Sequence, residues 1–194
     1  MATLKDFISK LATEECDAIV QEFFFDTPSQ KVSITQKERI VEEVRSAYGL
    51  KSHDLRLHIT GSAHLGFSLV EKPKLGLARY RPFSAESDID CAVVSARLFT
   101  MLWREVSRHG HGLAPWPNSI DGLGNYMIYG WLRPDKLPID LYYRNVWWDC
   151  FSTLTKNRVV GFHKIAGGLF YSTDHLKQYI ERSVRACQSL EKMK

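Results

Sequence analysis

Two aspartates one residue apart open a short apolar run, Ser87-Asp88-Ile89-Asp90-Cys91-Ala92-Val93-Val94. Read as a strand, the run alternates its side chains, so Asp88 and Asp90 share one face while Ile89, Cys91 and Val93 take the other. Carboxylates this close repel, and each raises the pKa of the other unless a cation stands between them. Mg²⁺ or Mn²⁺ resolves that conflict, because hard cations take carboxylate oxygens. A third carboxylate, Asp140, lies in Leu137-Pro138-Ile139-Asp140-Leu141-Tyr142-Tyr143, which reads as a strand over about 137–143. On a neighbouring strand, Asp140 would complete a site for two metals. Such metals sit about 3.5–4 Å apart and clamp the attacking and leaving oxygens of phosphoryl transfer.

A Gly61-Ser62 pair closes another alternating stretch, Leu55 to Thr60. Glycine tolerates unusual dihedrals and lets the backbone approach a phosphate closely. Exposed amides and the Ser62 hydroxyl can then bond phosphate oxygens. Gly-Ser alone carries no information, and Asp-x-Asp alone carries little. Their ordered appearance on successive strands is the informative signal.

These residues, GSAHLGFS, then SDIDCAVV, then LPIDLYY, resemble the polymerase-β-like nucleotidyltransferase superfamily, over about residues 55–143. The resemblance implies transfer of a nucleoside monophosphate from a nucleoside triphosphate, ATP first, to a hydroxyl, with release of pyrophosphate. It implies that Gly61 and Ser62 hold the triphosphate and that Asp88 and Asp90 bind both metals. Asp140 would bind the catalytic metal and help deprotonate the acceptor. Gly66 fits the glycine that often follows Gly-Ser in minimal members, and Lys164 fits a downstream basic residue that neutralises triphosphate charge. One departure stands out. The spacer from residue 63 to 87 is about twice as long as in small members, and it carries Lys72, Lys74, Arg79 and Arg81. This basic loop could cover the triphosphate or grip an acidic acceptor.

The elements that must position these groups read as follows. Residues 3–25 have helical apolar spacing, and DTPSQ at 26–30 breaks it. A helix over about 35–48 starts on the capping-box spacing of Thr35 with Glu38 and stops at Gly49. Strands are predicted at LRLHIT and at about 88–95, helices at about 96–109, 145–156 and 174–192, and a loop over 110–125. YMIYGWL stays open between helix and strand. Strands interspersed with helices predict an α/β or α+β domain, with a short mixed sheet carrying the site and helices packed against it. The single domain spans 1–194, with its catalytic core at about 50–145.

The 194 residues carry a formal charge of +4, with 44% hydrophobic and 25% charged residues. That is the composition of a folded globular protein. The mild basicity fits a phosphate-bearing ligand without demanding nucleic acid. No apolar run is long enough to span a membrane, and the N-terminus does not read as a signal peptide, so a cytoplasmic protein is expected. Cys16, Cys91, Cys150 and Cys187 are far apart, form no CxxC pair and read as reduced thiols.

Other residues have competing readings. His109-Gly110-His111 reads as a solvated loop rather than a metal site. His58 and His64 flank the Gly-Ser turn, and His64 has a route to a phosphate. Trp116, Trp131, Tyr142, Tyr143, Trp147 and Trp148 read as core, with one or two available to stack on a base. The short stretch after Asp140 leaves little room for the helical domain of template-binding polymerases. That favours a small enzyme acting on a protein (AMPylation in a toxin–antitoxin or defence setting) or on a small molecule such as an antibiotic, with nucleic acid a further acceptor. The alternative is a nucleotide-binding or partner-binding module of the same fold without turnover.

Overall fold

A computed structural model describes residues 3–111 and 120–193. The chain folds as a mixed α+β structure around a four-stranded sheet of order β1-β2-β4-β3. The strands are β1 (Arg56–Thr60), β2 (Ile89–Val94), β3 (Trp131–Leu132) and β4 (Ile165–Phe170). β2 pairs antiparallel with β1 and parallel with β4, and β3 pairs antiparallel with β4.

The helices are α1 (Leu4–Thr13), α2 (Cys16–Val20), α3 (Ile34–Ala47), α4 (Gly61–Leu65), α5 (Ala96–His111), α6 (Ile120–Ile128), α7 (Tyr142–Lys156) and α8 (Thr173–Glu191). Thr3 and Asp6 form a capping box that starts α1. The single helix expected over 3–25 is interrupted, because Glu14 is extended; α2 then runs on as a π-helical turn over Gln21–Asp26. The cap of α3 is also displaced from expectation. Ser33 and Gln36 make the reciprocal bonds, not Thr35 and Glu38. Both boxes satisfy amides that a first helical turn otherwise leaves unpaired.

Both faces of the sheet are covered. Ile89, Cys91 and Val93 pack with residues of α3, α5 and α7. Ala92 and Val94 pack on the opposite face with α1, α2 and α8. An interior strand covered on both sides should read as continuously apolar. β2 does so except at Asp90, whose five neighbours on the strand are all buried.

β4 was not expected. Its sequence, Ile-Ala-Gly-Gly-Leu-Phe, is diluted by glycine, which weakens a strand signal. Tertiary packing explains Gly167. A Cβ there would collide with the Phe151 ring and approach Trp147 Cζ2 to 2.6 Å, so α7 can lie close on the sheet only above a glycine. The 110–125 loop is corrected in part. Helix α5 continues to His111 and α6 begins at Ile120, and residues 112–119, with Trp116, lie outside the described residues. YMIYGWL divides between the end of α6 and β3. All four cysteines are free and buried. Among the described residues no helix is long and apolar enough to cross a membrane.

Gly167→Ala should destabilise the fold by about 1–3 kcal/mol, the usual range for overpacking a dense core. Urea unfolding followed by tryptophan fluorescence checks this, with a lowered midpoint at unchanged slope expected.

Candidate functional site

Asp90 is the second residue of β2, and Asp88 stands just before the strand, exposed. Sheet register sets Asp90 between Thr60 of β1 and Ala166 of β4. The Thr60 hydroxyl donates to the Asp90 carbonyl at 3.3 Å. Gly61 follows immediately in the left-handed region, at φ 62°, and a Cβ there would come within 2.6 Å of Asp90 Oδ2. The carboxylate and the Gly-Ser bend are therefore built against each other, and only glycine satisfies both the dihedral and the close approach. Ser62 is half-buried, and its hydroxyl has no partner among the described residues. His163 Nδ1 lies 2.8 Å from the Ser87 carbonyl, which steadies the chain as it enters Asp88.

Asp90 is open to solvent on one side, yet the protein around it raises its carboxyl pKa above the ordinary value, first by burial and then by the Asp88 charge. Three cations work in the other direction: Lys72, Arg133 and Lys164, in descending order of effect. They come from the 63–87 spacer, from the residue after β3 and from the residue before β4. These cations offset only part of what burial and the Asp88 charge do, so the Asp90 carboxylate stays disfavoured on balance.

The floor beside Asp90 is small. Ala166 and Gly168 share its face of the sheet by strand alternation. Beyond them Tyr179 of α8 stands within the electrostatic reach of Asp90, and burial raises the pKa of its hydroxyl. Its ring centroid lies 5.2 Å from Trp131, and Trp131 lies 4.4 Å from Tyr126.

Asp140 does not join this site. It occupies a turn before α7, not a strand, and its Oδ2 lies 3.2 Å from His109 Nδ1. Pro138 begins that turn, and the Glu105 carboxylate accepts the Tyr142 and Tyr143 amides at 2.7 and 3.0 Å, starting a helix where alternation suggested a strand. The far end of α7 marks the separation. The Thr155 hydroxyl accepts the Ile165 amide at 3.0 Å, and Ile165 pairs with Ile89 beside Asp88. The length of α7, roughly 20 Å, therefore separates the Asp88 end of the sheet from the Asp140 end. Among the described residues no group of three His, Cys, Asp or Glu side chains is placed to hold a metal ion. The strand position beside Asp90 belongs to Ala166.

The remaining candidates sort clearly. His64 is buried, bonds the Phe23 carbonyl through Nε2 at 2.7 Å and stacks on Phe24, so it supports the bend and does not face a phosphate. His58 packs on Phe25, and burial lowers its pKa to about 4. His109 and His111 are helical rather than in a loop. Trp147 is core, whereas Tyr142 and Trp148 are exposed on α7. Arg133, Tyr179 and the Ala166–Gly168 floor escaped sequence reading. The first follows a two-residue strand in an ambiguous stretch, and the others sit on elements whose pairing with β2 no local pattern announces.

Because folding raises the Asp90 pKa, its contribution is most favourable when protonated and is lost as pH climbs through the folded value. Asp90→Asn, a neutral isostere, should raise the Tm at pH 7 in EDTA. The gain should shrink as pH falls into the ordinary aspartate range, as read by calorimetry across pH. Compared with protein-family models, with curated proteins and with solved structures, the chain gives no match in any of the three.

Proposed function

We propose that this chain binds a nucleoside triphosphate together with Mg²⁺, ATP being the first candidate, as a nucleotide-binding module on the nucleotidyltransferase plan. The observation that carries the reading is the contact between the Asp90 carboxylate and the Gly61 backbone, which brings an acidic metal-seeking group against a bend open to phosphate. The Asp88–Asp90 pair suits one magnesium ion, which is commonly held by one or two carboxylates while substrate phosphates fill other positions. Lys72, Arg133 and Lys164 supply charge for the rest of the polyphosphate. The metal would neutralise phosphate charge and fix its orientation; the residues bind, orient and limit water around it.

Binding is favoured over nucleotidyl transfer for one reason. The transfer implied by the resemblance uses a third carboxylate, and Ala166 lies in register with Asp90 while Asp140 pairs with His109. Two carboxylates fit a metal delivered with the nucleotide better than a resident two-metal centre. The transfer reading, with a protein, small-molecule or nucleic-acid hydroxyl as acceptor, is the outcome that a turnover assay would restore.

Calorimetric titration with MgATP should show saturable binding that weakens about tenfold or more in Asp88→Asn and Asp90→Asn and stays unchanged in Asp140→Asn. Incubation with labelled ATP and Mg²⁺ should release no pyrophosphate and label no protein. Pyrophosphate release that Asp90→Asn abolishes would overturn the binding-only reading. Absence of nucleotide binding at millimolar concentration would overturn both. Ala166→Asp adds a carboxylate beside Asp90 and should tighten Mn²⁺ binding about tenfold, measured by titration without nucleotide.

A further inference from the structure

A cavity of about 290 Å³ opens beside β1, and none of Gly61, Ser62, Asp88 and Asp90 lines it. His58 and Ile59 of β1 both do. Successive strand residues point to opposite faces, so a space that touches both lies along the strand's edge. β2 occupies one edge of β1, and no strand pairs with the other among the described residues, so the cavity takes the free edge. Its outer wall comes from the segment 24–37, which runs from the end of the π-helical turn into the first turn of α3.

That wall is pinned. The Ser29 hydroxyl donates to the Ala63 carbonyl at 3.0 Å, and the Gln30 and Lys31 amides donate to the His64 and Ala63 carbonyls at 3.0 and 3.1 Å. The Gln30 side-chain amide donates to the Leu65 carbonyl at 2.6 Å. The loop is thus tied to α4 at four points, and the cavity is a fixed feature of the fold.

The lining is mixed in character. Phe24, Val32, Ile59 and His64 are buried, whereas Ser33 and Ile34 are exposed. His64 stacks on Phe24 with centroids 5.7 Å apart, and His58 meets Phe25 edge-on at 5.2 Å, so two imidazole–phenyl pairs line one space. Burial lowers the pKa of both histidines, His58 to about 4. Near pH 7 both rings are neutral, each with one donor and one acceptor. His64 uses Nε2 on the Phe23 carbonyl, but neither ring nitrogen of His58 has a hydrogen-bond partner among the described residues. Lys37 of α3 is half-buried, and its ammonium has no hydrogen-bond or ion-pair partner among them either. Asp26, the acidic side chain of the lining, is engaged by the Gln21 side-chain amide at 2.8 Å. Empty voids in protein interiors are lined by apolar atoms. This one presents an unbonded imidazole and an unpaired ammonium, groups that call for a partner. Aromatic walls with a few converging polar groups are the common pattern of small-molecule sites.

We propose that this cavity is a second ligand site for a small aromatic carboxylate, its ring against the two imidazole–phenyl pairs and its carboxylate on Lys37, with His58 donating a further hydrogen bond. The volume lies at the small end of ligand pockets, which fits a single ring rather than a nucleotide. One unpaired cation fits a single negative charge. The site uses none of the groups assigned to nucleotide and metal, so it stands or falls separately from that reading.

Benzoate is the probe, and benzamide is its uncharged counterpart. Each is titrated into the full chain while the histidine side chains are followed by ¹H–¹⁵N NMR. Benzoate should shift the His58 and His64 signals saturably, and benzamide should bind about tenfold more weakly. Lys37→Met should weaken benzoate about tenfold and leave benzamide within about twofold, with an unchanged Tm showing an intact fold. Lys37→Arg should keep most of the benzoate affinity, and it serves as the second variant if Lys37→Met fails to fold. If benzoate gives no saturable shift at millimolar concentration, the cavity holds water alone and the proposal fails. Equal binding of benzoate and benzamide, or benzoate binding that Lys37→Met leaves intact, would overturn the carboxylate assignment. Saturable shifts that miss both histidines would place the ligand elsewhere and overturn the site.

Discussion

The whole arrangement depends on one charged side chain held at the entrance of an interior strand. β2 is covered on both faces, and its other five residues are buried. Asp90 breaks that run as the exposed residue of the strand, and it does so against the Gly61 backbone. A carboxylate in such a position is unfavourable alone, because burial and the Asp88 charge both oppose its ionisation. Lys72, Arg133 and Lys164, from three separate segments, offset part of that cost. On the proposed reading, a metal ion arriving with a polyanion would relieve the carboxylate pair and meet the cations at once.

The same geometry limits the chemistry. A two-metal centre needs carboxylates converging from more than one strand. On that face the strand beside β2 offers Ala166 and Gly168, small and uncharged, and no third carboxylate. Tyr179, within the electrostatic reach of Asp90, joins a ring cluster with Trp131 and Tyr126. The long spacer is held by its own arginines, Arg79 on the Leu69 carbonyl and Arg81 on the Val70 and Ala78 carbonyls.

Much of the site was legible because it is local. Asp88 and Asp90 are separated by one residue, so alternation alone predicts a shared face, and Gly61-Ser62 announces a bend by its composition. The helices over about 35–48 and 174–192 followed from ordinary helix signals and are present as α3 and α8. What failed was non-local. Asp140 looked like a strand residue because Leu137, Ile139 and Leu141 alternate, but Glu105 on α5 caps the following helix and turns the segment into its lead-in. β4 was hidden because its glycines serve the rings of Trp147 and Phe151, a requirement that exists only after α7 packs. Arg133 and Tyr179 reach Asp90 through sheet order and helix packing, neither of which a single sequence states.

Counting bound Mn²⁺ by electron paramagnetic resonance, with a non-hydrolysable ATP analogue present, tests the central claim most directly. The account expects one ion per chain, bound with the nucleotide and lost on exchanging Asp90 for asparagine. Two ions per chain, or one that persists without the Asp90 carboxylate, would contradict it.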